Sequence, residues 1–144
     1  MPTRLLNFFL ITGIGKKLVM ACSAILLLLF LLGHLAGNLQ FYLGQEAVNS
    51  YAIFLHSMPV ILWALRIGII VSFLLHILTS ISLTIQNRTA KPTSYFIKKS
   101  IKATLASRTM MWGGTTLLLF LLFHLAQLTF GIILPEHANL IDAK

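Results

Sequence analysis

The chain has 144 residues, of which 58% are hydrophobic and 10% are charged. A soluble domain of this length cannot bury so much apolar surface, so the composition excludes a water-soluble globular protein. The formal net charge of +8 would suit a nucleic-acid-binding protein, but the sequence contains no basic soluble domain to carry that function, and we expect no nucleic-acid partner.

Three apolar runs with few or no charged residues follow one another along the chain. Each is roughly 20 residues or longer, which is enough to cross a hydrocarbon layer of about 30 Å. Their leucine runs lack the period-2 alternation of a transmembrane β-barrel. The sequence therefore predicts an all-α transmembrane bundle in a single membrane domain, residues 1–144, with helix I at about 17–43, helix II at about 60–86 and helix III at about 109–134.

The remaining segments are short. Residues 5–14 are apolar but too few to span a membrane, and we interpret them as an interfacial segment that is broken by glycines before helix I. The connector at 44–59 is expected to form a short surface helix, because four of its apolar residues would share one face: Ala47, Tyr51, Phe54 and Leu55. The connector between helices II and III carries six cations and no acid.

Positive charge is distributed unevenly among these segments. The N-terminal segment carries Arg4, Lys16 and Lys17, whereas the first connector and the tail together carry one cation, Lys144. Because cationic segments stay on the cytoplasmic side of a membrane, the pattern predicts a three-span chain with its N-terminus inside. The basic second connector also suits contact with anionic lipid headgroups or with an acidic cytoplasmic partner.

Each predicted span holds one histidine inside its apolar run: His34, His76 and His124. The depth of each histidine in the membrane follows from the helical rise of about 1.5 Å per residue. We count from the predicted inner ends of the spans, which are Leu18, Gln86 and Thr109. His34 then lies roughly 24 Å, His124 roughly 22 Å and His76 about 15 Å from the cytoplasmic edge. The sequence therefore predicts that His34 and His124 face each other, with His76 about two turns nearer the cytoplasm.

Two imidazoles at one depth on different helices suit the two axial positions of a haem iron, which points to electron transfer. Small residues near the histidines would make room for a porphyrin: Gly33, Ala36, Gly37, Gly68 and Ser72. Small residues also serve ordinary helix packing, and a histidine in a span sometimes only hydrogen-bonds a backbone carbonyl. A zinc or copper site is a weaker alternative, because no cysteine or carboxylate is predicted at the level of His34 and His124.

Two arginines are candidates for contact with haem propionates. Arg66 is the only cation inside a predicted span, about 15 Å outward of His76 and somewhat outward of the His34 level. Its alternative role is snorkelling to the outer interface. Arg108 begins helix III on the inner side, where it would hold the propionates of an inner haem or anchor the helix at the membrane surface.

Four stretches together resemble the cytochrome b anchor of succinate dehydrogenase and fumarate reductase: IGKKLVMACSAILLLLFLLGHLAGNLQFY, QEAVNSYAIFLH, FLLHI and SRTMMWGGTTLLLFLLFHL. The resemblance is to the single-subunit, two-haem type. It implies five spans and four histidine ligands for two b haems, with His34 and His124 at the distal haem and His76 at the proximal haem. The partner of His76 would then come from a later span. We therefore expect these 144 residues to be a C-terminally truncated chain, the alternative being that the remaining spans are supplied elsewhere.

The resemblance also implies flavoprotein and iron–sulfur subunits on the cytoplasmic face of a bacterial inner membrane, and menaquinone as the quinone. The chain would pass electrons between the iron–sulfur subunit and the quinone, while succinate chemistry would belong to the partners. The residues alone leave three other functions open: the cytochrome b subunit of another membrane dehydrogenase, a transporter fragment with a histidine proton relay, and a purely structural membrane protein.

Overall fold

The computed structural model describes residues 8–9, 11–90 and 103–133. Every regular element in these ranges is helical: α1 over Gly13–Asn38, a 3-10 helix over Leu39–Leu43, α2 over Gln45–His56, α3 over Pro59–Thr89, α4 over Leu105–His124, and a π-helical turn over Leu125–Thr129. Within the described ranges, three stretches are long and apolar enough to cross a membrane: Gly13–Leu43, Pro59–Thr89 and Leu105–Thr129. The predicted all-α transmembrane class is confirmed.

Helices α1 and α4 each begin four residues ahead of the start predicted from hydropathy. A threonine caps each one: the Thr12 hydroxyl accepts from the Gly15 amide at 3.0 Å, and the Thr104 hydroxyl accepts from the Ser107 amide at 3.2 Å. Threonine is favoured at this position because its hydroxyl satisfies an amide that has no partner within the helix. Hydropathy marks the apolar part of each span and misses this polar first turn.

The helix that begins with α4 ends at Thr129, earlier than the predicted end near residue 134. The Phe130 amide donates to the Leu125 carbonyl at 2.9 Å, which is the wider spacing of a π-helix. Gly131 then adopts a φ of 62°, in the left-handed region that commonly terminates helices. The predicted last residue lies outside the described residues, as does the tail.

Helices α1 and α3 pack against each other in antiparallel fashion. The Lys16 ammonium donates to the Ser82 hydroxyl at 2.8 Å, so the start of α1 lies beside the end of α3. Three of the four side chains buried in α1 and α3 are small and polar: Ser23, Ser72 and Thr79. The fourth is apolar, Leu83. Small residues let helix backbones approach closely, which is how helices in membranes gain packing energy.

Large apolar side chains cover the outside of the helices. Leu29 is 60% exposed and Phe120 is 61% exposed, whereas the buried Ser23 is 4% exposed. A soluble protein shows the opposite arrangement, with its large apolar side chains inside. Hydrocarbon is the solvent that such a surface requires, so the chain is a membrane-embedded protein.

The chain divides into two compact units, Met1–Ser94 and Tyr95–Lys144, which are described separately below. The first unit contains α1, α2 and α3, and the second contains α4 with its π-helical turn. The predicted surface helix in the first connector is confirmed as α2. Of the predicted interfacial segment at 5–14, residues 5–7 and 10 lie outside the described residues, and so does the basic connector at 91–102.

Candidate functional histidines

His34 lies on α1 in the first unit, and its side chain is exposed. Its imidazole stacks on the ring of Phe30, one turn earlier on the same helix, with ring centroids 5.3 Å apart and an interplanar angle of 21°. Stacking on a neighbouring ring restricts the rotation of the imidazole. His34 is therefore an exposed residue whose imidazole is held by a neighbour on its own helix.

His124 is the last residue of α4, in the second unit. Its imidazole stacks on Phe120, again one turn earlier, at a centroid distance of 5.8 Å and an interplanar angle of 28°. The π-helical turn begins at the next residue, Leu125. Single π-helical turns within or after α-helices occur frequently at functional sites.

The two stacked pairs arise from a repeated motif. Residues 27–36 read LLLFLLGHLA and residues 117–126 read LLLFLLFHLA, so nine of ten positions are identical. The prediction of one histidine per span missed this repeat, because hydropathy does not distinguish phenylalanine from leucine. The identical spacing of phenylalanine and histidine is the sequence signal that would have found it, and the similar ring geometry on both helices is its structural consequence.

The positions of these histidines within their helices are also similar. His34 is 21 residues beyond the first residue of α1, and His124 is 19 residues beyond the first residue of α4. If both helices start at the same membrane surface, as the charge pattern predicts, the two imidazoles differ in depth by about 3 Å. The pairing of His34 with His124 would join the two separately described units, and it stays a prediction.

His76 lies on α3 and faces α1. Its Nδ1 atom is 3.3 Å from the Met20 carbonyl oxygen and 3.3 Å from the Ser23 hydroxyl oxygen. The Ser23 hydroxyl itself donates to the Met20 carbonyl at 3.0 Å. One ring nitrogen of His76 is therefore engaged with the first span, and Nε2 takes part in neither of these contacts.

The distance between His76 and His34 along the membrane normal is larger than predicted. The contacts between α1 and α3 align His76 with Cys22, which precedes His34 by 12 residues. At about 1.5 Å per residue this is about 18 Å, or more than three helical turns, where the prediction was two. The error arose because the predicted inner ends of the two spans, Leu18 and Gln86, are not level in the folded hairpin.

The same alignment changes the expected place of Arg66. It brings Arg66 level with Leu32, close to the depth of His34 and slightly inward of it, whereas the sequence predicted a position outward of His34. The Arg66 guanidinium carbon lies 5.2 Å from the centre of the Trp63 ring, a cation–π contact within α3. Its side chain therefore extends towards the N-terminal, predicted outer end of α3. This contact is consistent with a side chain that snorkels to the outer interface. Contact of Arg66 with a haem propionate stays a prediction.

The space beside the histidines is open at two glycines and filled at a third. A methyl group added at Gly33 or at Gly68 would meet no atom within 4 Å. At Gly37 it would lie 2.9 Å from Cε1 of Tyr51, a residue of α2. The Tyr51 ring thus lies against Gly37. The expectation that Gly37 makes room for a porphyrin stays a prediction.

Arg108 lies in the exposed first turn of α4. Its amide donates to the Thr104 carbonyl at 3.2 Å as part of the helix start. The sequence also predicts Lys16, Lys17 and Arg88 on the inner side as cations that would join Arg108, and these three residues lie in the first unit. Both predicted roles of Arg108, propionate contact and surface anchor, stay predictions.

Within the described part of the chain, no group of three or more histidine, cysteine, aspartate or glutamate side chains is placed to hold a metal ion. Structural zinc sites usually need four protein ligands, so these residues give the zinc or copper alternative no support. A haem iron with two axial imidazoles needs no such larger group of protein ligands.

No known protein family, no curated protein and no solved structure matches this chain. The resemblance to cytochrome b anchors therefore rests on the four sequence stretches quoted above.

Proposed function

We propose that this chain is a haem b membrane anchor that passes electrons between an iron–sulfur subunit and a quinone in a succinate:quinone oxidoreductase. The observation that carries the proposal is the repeated phenylalanine–histidine pair on α1 and α4, which gives two spans the same imidazole geometry at similar helical positions. Two equivalent imidazoles from two helices are the donor set that a six-coordinate haem iron takes.

The residues present fit a haem by their chemistry. In the first unit, the His34 imidazole is exposed and restrained by Phe30, so an iron ligand is offered on the outer surface of the α1–α3 hairpin. A Cβ added at Gly33 would meet no atom within 4 Å, so there is space for a flat macrocycle beside Gly33. A bound haem would supply reversible one-electron transfer, and the protein would supply its axial ligands, its orientation and its apolar surroundings.

Each residue has a distinct part in this proposal. His34 and His124 would be the axial ligands of a distal haem, and His76 would be one ligand of a proximal haem. Phe30 and Phe120 would hold the distal imidazoles in place. The distance of about 18 Å between the levels of His34 and His76 would separate two haems along the membrane normal.

The proposed setting follows from the predicted orientation. The starts of α1 and α4 would lie at the cytoplasmic face of a bacterial inner membrane, where an iron–sulfur subunit and a flavoprotein would dock. Lys16 and Lys17, in the first turns of α1, would contribute positive charge to that face. Menaquinone is the quinone that the sequence resemblance favours.

The test is the haem content of the detergent-purified chain, measured as a reduced-minus-oxidised spectrum. We expect His34→Ala and His124→Ala each to abolish the same, distal haem signal, and His76→Ala to leave that signal in place and to affect a different haem. His56→Ala, on α2, is the control and should leave the spectrum unchanged.

Two results would overturn the proposal. A well-folded but colourless chain would favour the transporter or structural alternatives, and equal loss of one haem in all three variants would contradict the assignment of ligands. Co-purification with a flavoprotein that oxidises succinate would separate the proposed complex from other cytochrome b-containing dehydrogenases.

A further inference from the structure

We propose that Ser23 is a positioning residue for His76. Together with the Met20 carbonyl, it fixes the imidazole as the tautomer with its proton on Nδ1 and presents Nε2 as the ligating atom. The identity of the ligand, a haem iron, rests on the proposed function, whereas the tautomer follows from contacts within the first unit alone.

The Met20 carbonyl is one of two acceptors that together favour a proton on Nδ1. A backbone carbonyl oxygen only accepts hydrogen bonds, and it lies 3.3 Å from Nδ1 of His76. If Nδ1 carried no proton, its lone pair would face the lone pairs of this oxygen, and the two acceptors would repel each other. The proton therefore belongs on Nδ1, which donates towards α1.

Ser23 strengthens this assignment. Its hydroxyl proton is already donated to the Met20 carbonyl at 3.0 Å, so its oxygen presents lone pairs to Nδ1 at 3.3 Å. Both neighbours of Nδ1 are thus acceptors. Ser23 is 4% exposed, so solvent does not readily replace it as the partner of the imidazole.

The consequence concerns the other ring nitrogen. A neutral imidazole with its proton on Nδ1 has its lone pair on Nε2, and the two nitrogens point in nearly opposite directions around the ring. Nε2 of His76 therefore points away from the Met20 carbonyl. Histidines that bind metals commonly donate their second N–H to a carbonyl in this way, which orients the ring and raises its basicity as a ligand.

The first experiment measures the tautomer directly in the full chain without haem. The chain, labelled with ¹⁵N in its histidines, is studied by NMR in detergent, and the His76 ring signals are identified by their loss in His76→Gln. We expect one tautomer with the proton on Nδ1. Ser23→Ala should populate both tautomers, because one of the two acceptors is lost, and Ser23→Thr should restore the single tautomer.

Ser82→Ala is the matched control. It removes another side-chain hydrogen bond between α1 and α3, the one from Lys16, at a distance from His76. It should leave the His76 tautomer unchanged, so an effect of Ser23→Ala is not a general effect of loosening the hairpin. A proton on Nε2 in the unaltered chain would overturn the proposal without any variant, and so would an unchanged tautomer in a folded Ser23→Ala chain.

The second experiment uses the haem-loaded chain. Loss of the hydrogen bond that Nδ1 of His76 donates to the Ser23 oxygen should weaken His76 as an iron ligand. We expect it to raise the midpoint potential of the haem signal that depends on His76, while the signal that depends on His34 keeps its potential. An unchanged potential at the His76-dependent haem would count against the positioning role. A chain with the expected tautomer that binds no haem would refute the proposed function and leave the assignment of Ser23 intact.

Discussion

The three histidines within the spans have two kinds of neighbour. His34 and His124 each stack on a phenylalanine of their own helix, and His76 contacts the backbone and a hydroxyl of another helix. The first kind of contact is local, so a sequence pattern at a spacing of four residues encodes it. The second kind depends on how two helices align, and no spacing within α3 reveals it.

Gly37 offers a test at the same scale. Gly37→Ala should lower the stability of the apo chain by about 1 kcal/mol, because the added methyl group meets the far edge of the Tyr51 ring, which has to shift. Thermal unfolding in detergent measures the effect.

Gly33→Ala is the matched control for this substitution. It is made on the same helix, one turn earlier, where an added methyl group meets nothing within 4 Å, and it should be neutral or slightly stabilising. Equal effects at Gly33 and Gly37 would show that Tyr51 does not pack on α1 as described. Tyr51→Ala should relieve the penalty of Gly37→Ala.

At the scale of elements, the alignment of α1 with α3 determines the depths of the polar residues. Two side-chain contacts, Lys16 with Ser82 and Ser23 with His76, define the same antiparallel register along the hairpin. A shift of one turn would move His76 by about 5 Å along α1 and separate it from Ser23. Because both contacts between the helices form only in this register, they make the alignment specific.

A double-mutant cycle on Lys16→Met and Ser82→Ala tests this register. The contact is between a cation and a hydroxyl at 2.8 Å, so we expect a coupling free energy of about 1 kcal/mol in thermal or denaturant unfolding. Lys17→Met combined with Ser82→Ala is the control and should show additive effects, since Lys17 is the adjacent residue on an exposed face of α1. Additivity in both cycles would contradict the alignment.

At the scale of the whole molecule, the described helices present large apolar side chains outward and keep small polar ones inside the α1–α3 hairpin. This surface fits lipid or further helices and does not fit water. The charged residues of the chain lie mainly at the helix ends and in the connectors, which is the pattern that sets membrane orientation.

The predicted orientation is testable by cysteine labelling in intact bacterial cells that express a Cys22→Ser background. Glu46→Cys, in the first turn of α2, should react with a membrane-impermeant maleimide from outside, because the first connector is predicted to be external. Lys17→Cys should react only after the membrane is made permeable. The reverse pattern would invert the topology and place the proposed docking face on the wrong side.

The sequence by itself determined the membrane class, the three candidate spans in the described part of the chain and the histidine within each of them. These features depend on local composition: a long run of leucines needs hydrocarbon wherever it folds, and the repeated spacing of phenylalanine and histidine produces the same stacking on both α1 and α4. The short helix α2 was predictable for the same reason, since its apolar residues recur at helical spacing.

Only the tertiary structure decided which residues meet across α1, α2 and α3. The filling of the Gly37 space by Tyr51, the level of Arg66 and the two acceptors that hold His76 depend on the register of packed helices. Hydropathy changes gradually at the end of a span, so it locates a helix end only to within several residues. An error of that size shifts the expected position of a side chain along the helix by a full turn or more. A hydrogen bond to one ring nitrogen forms only over a much smaller range of distances.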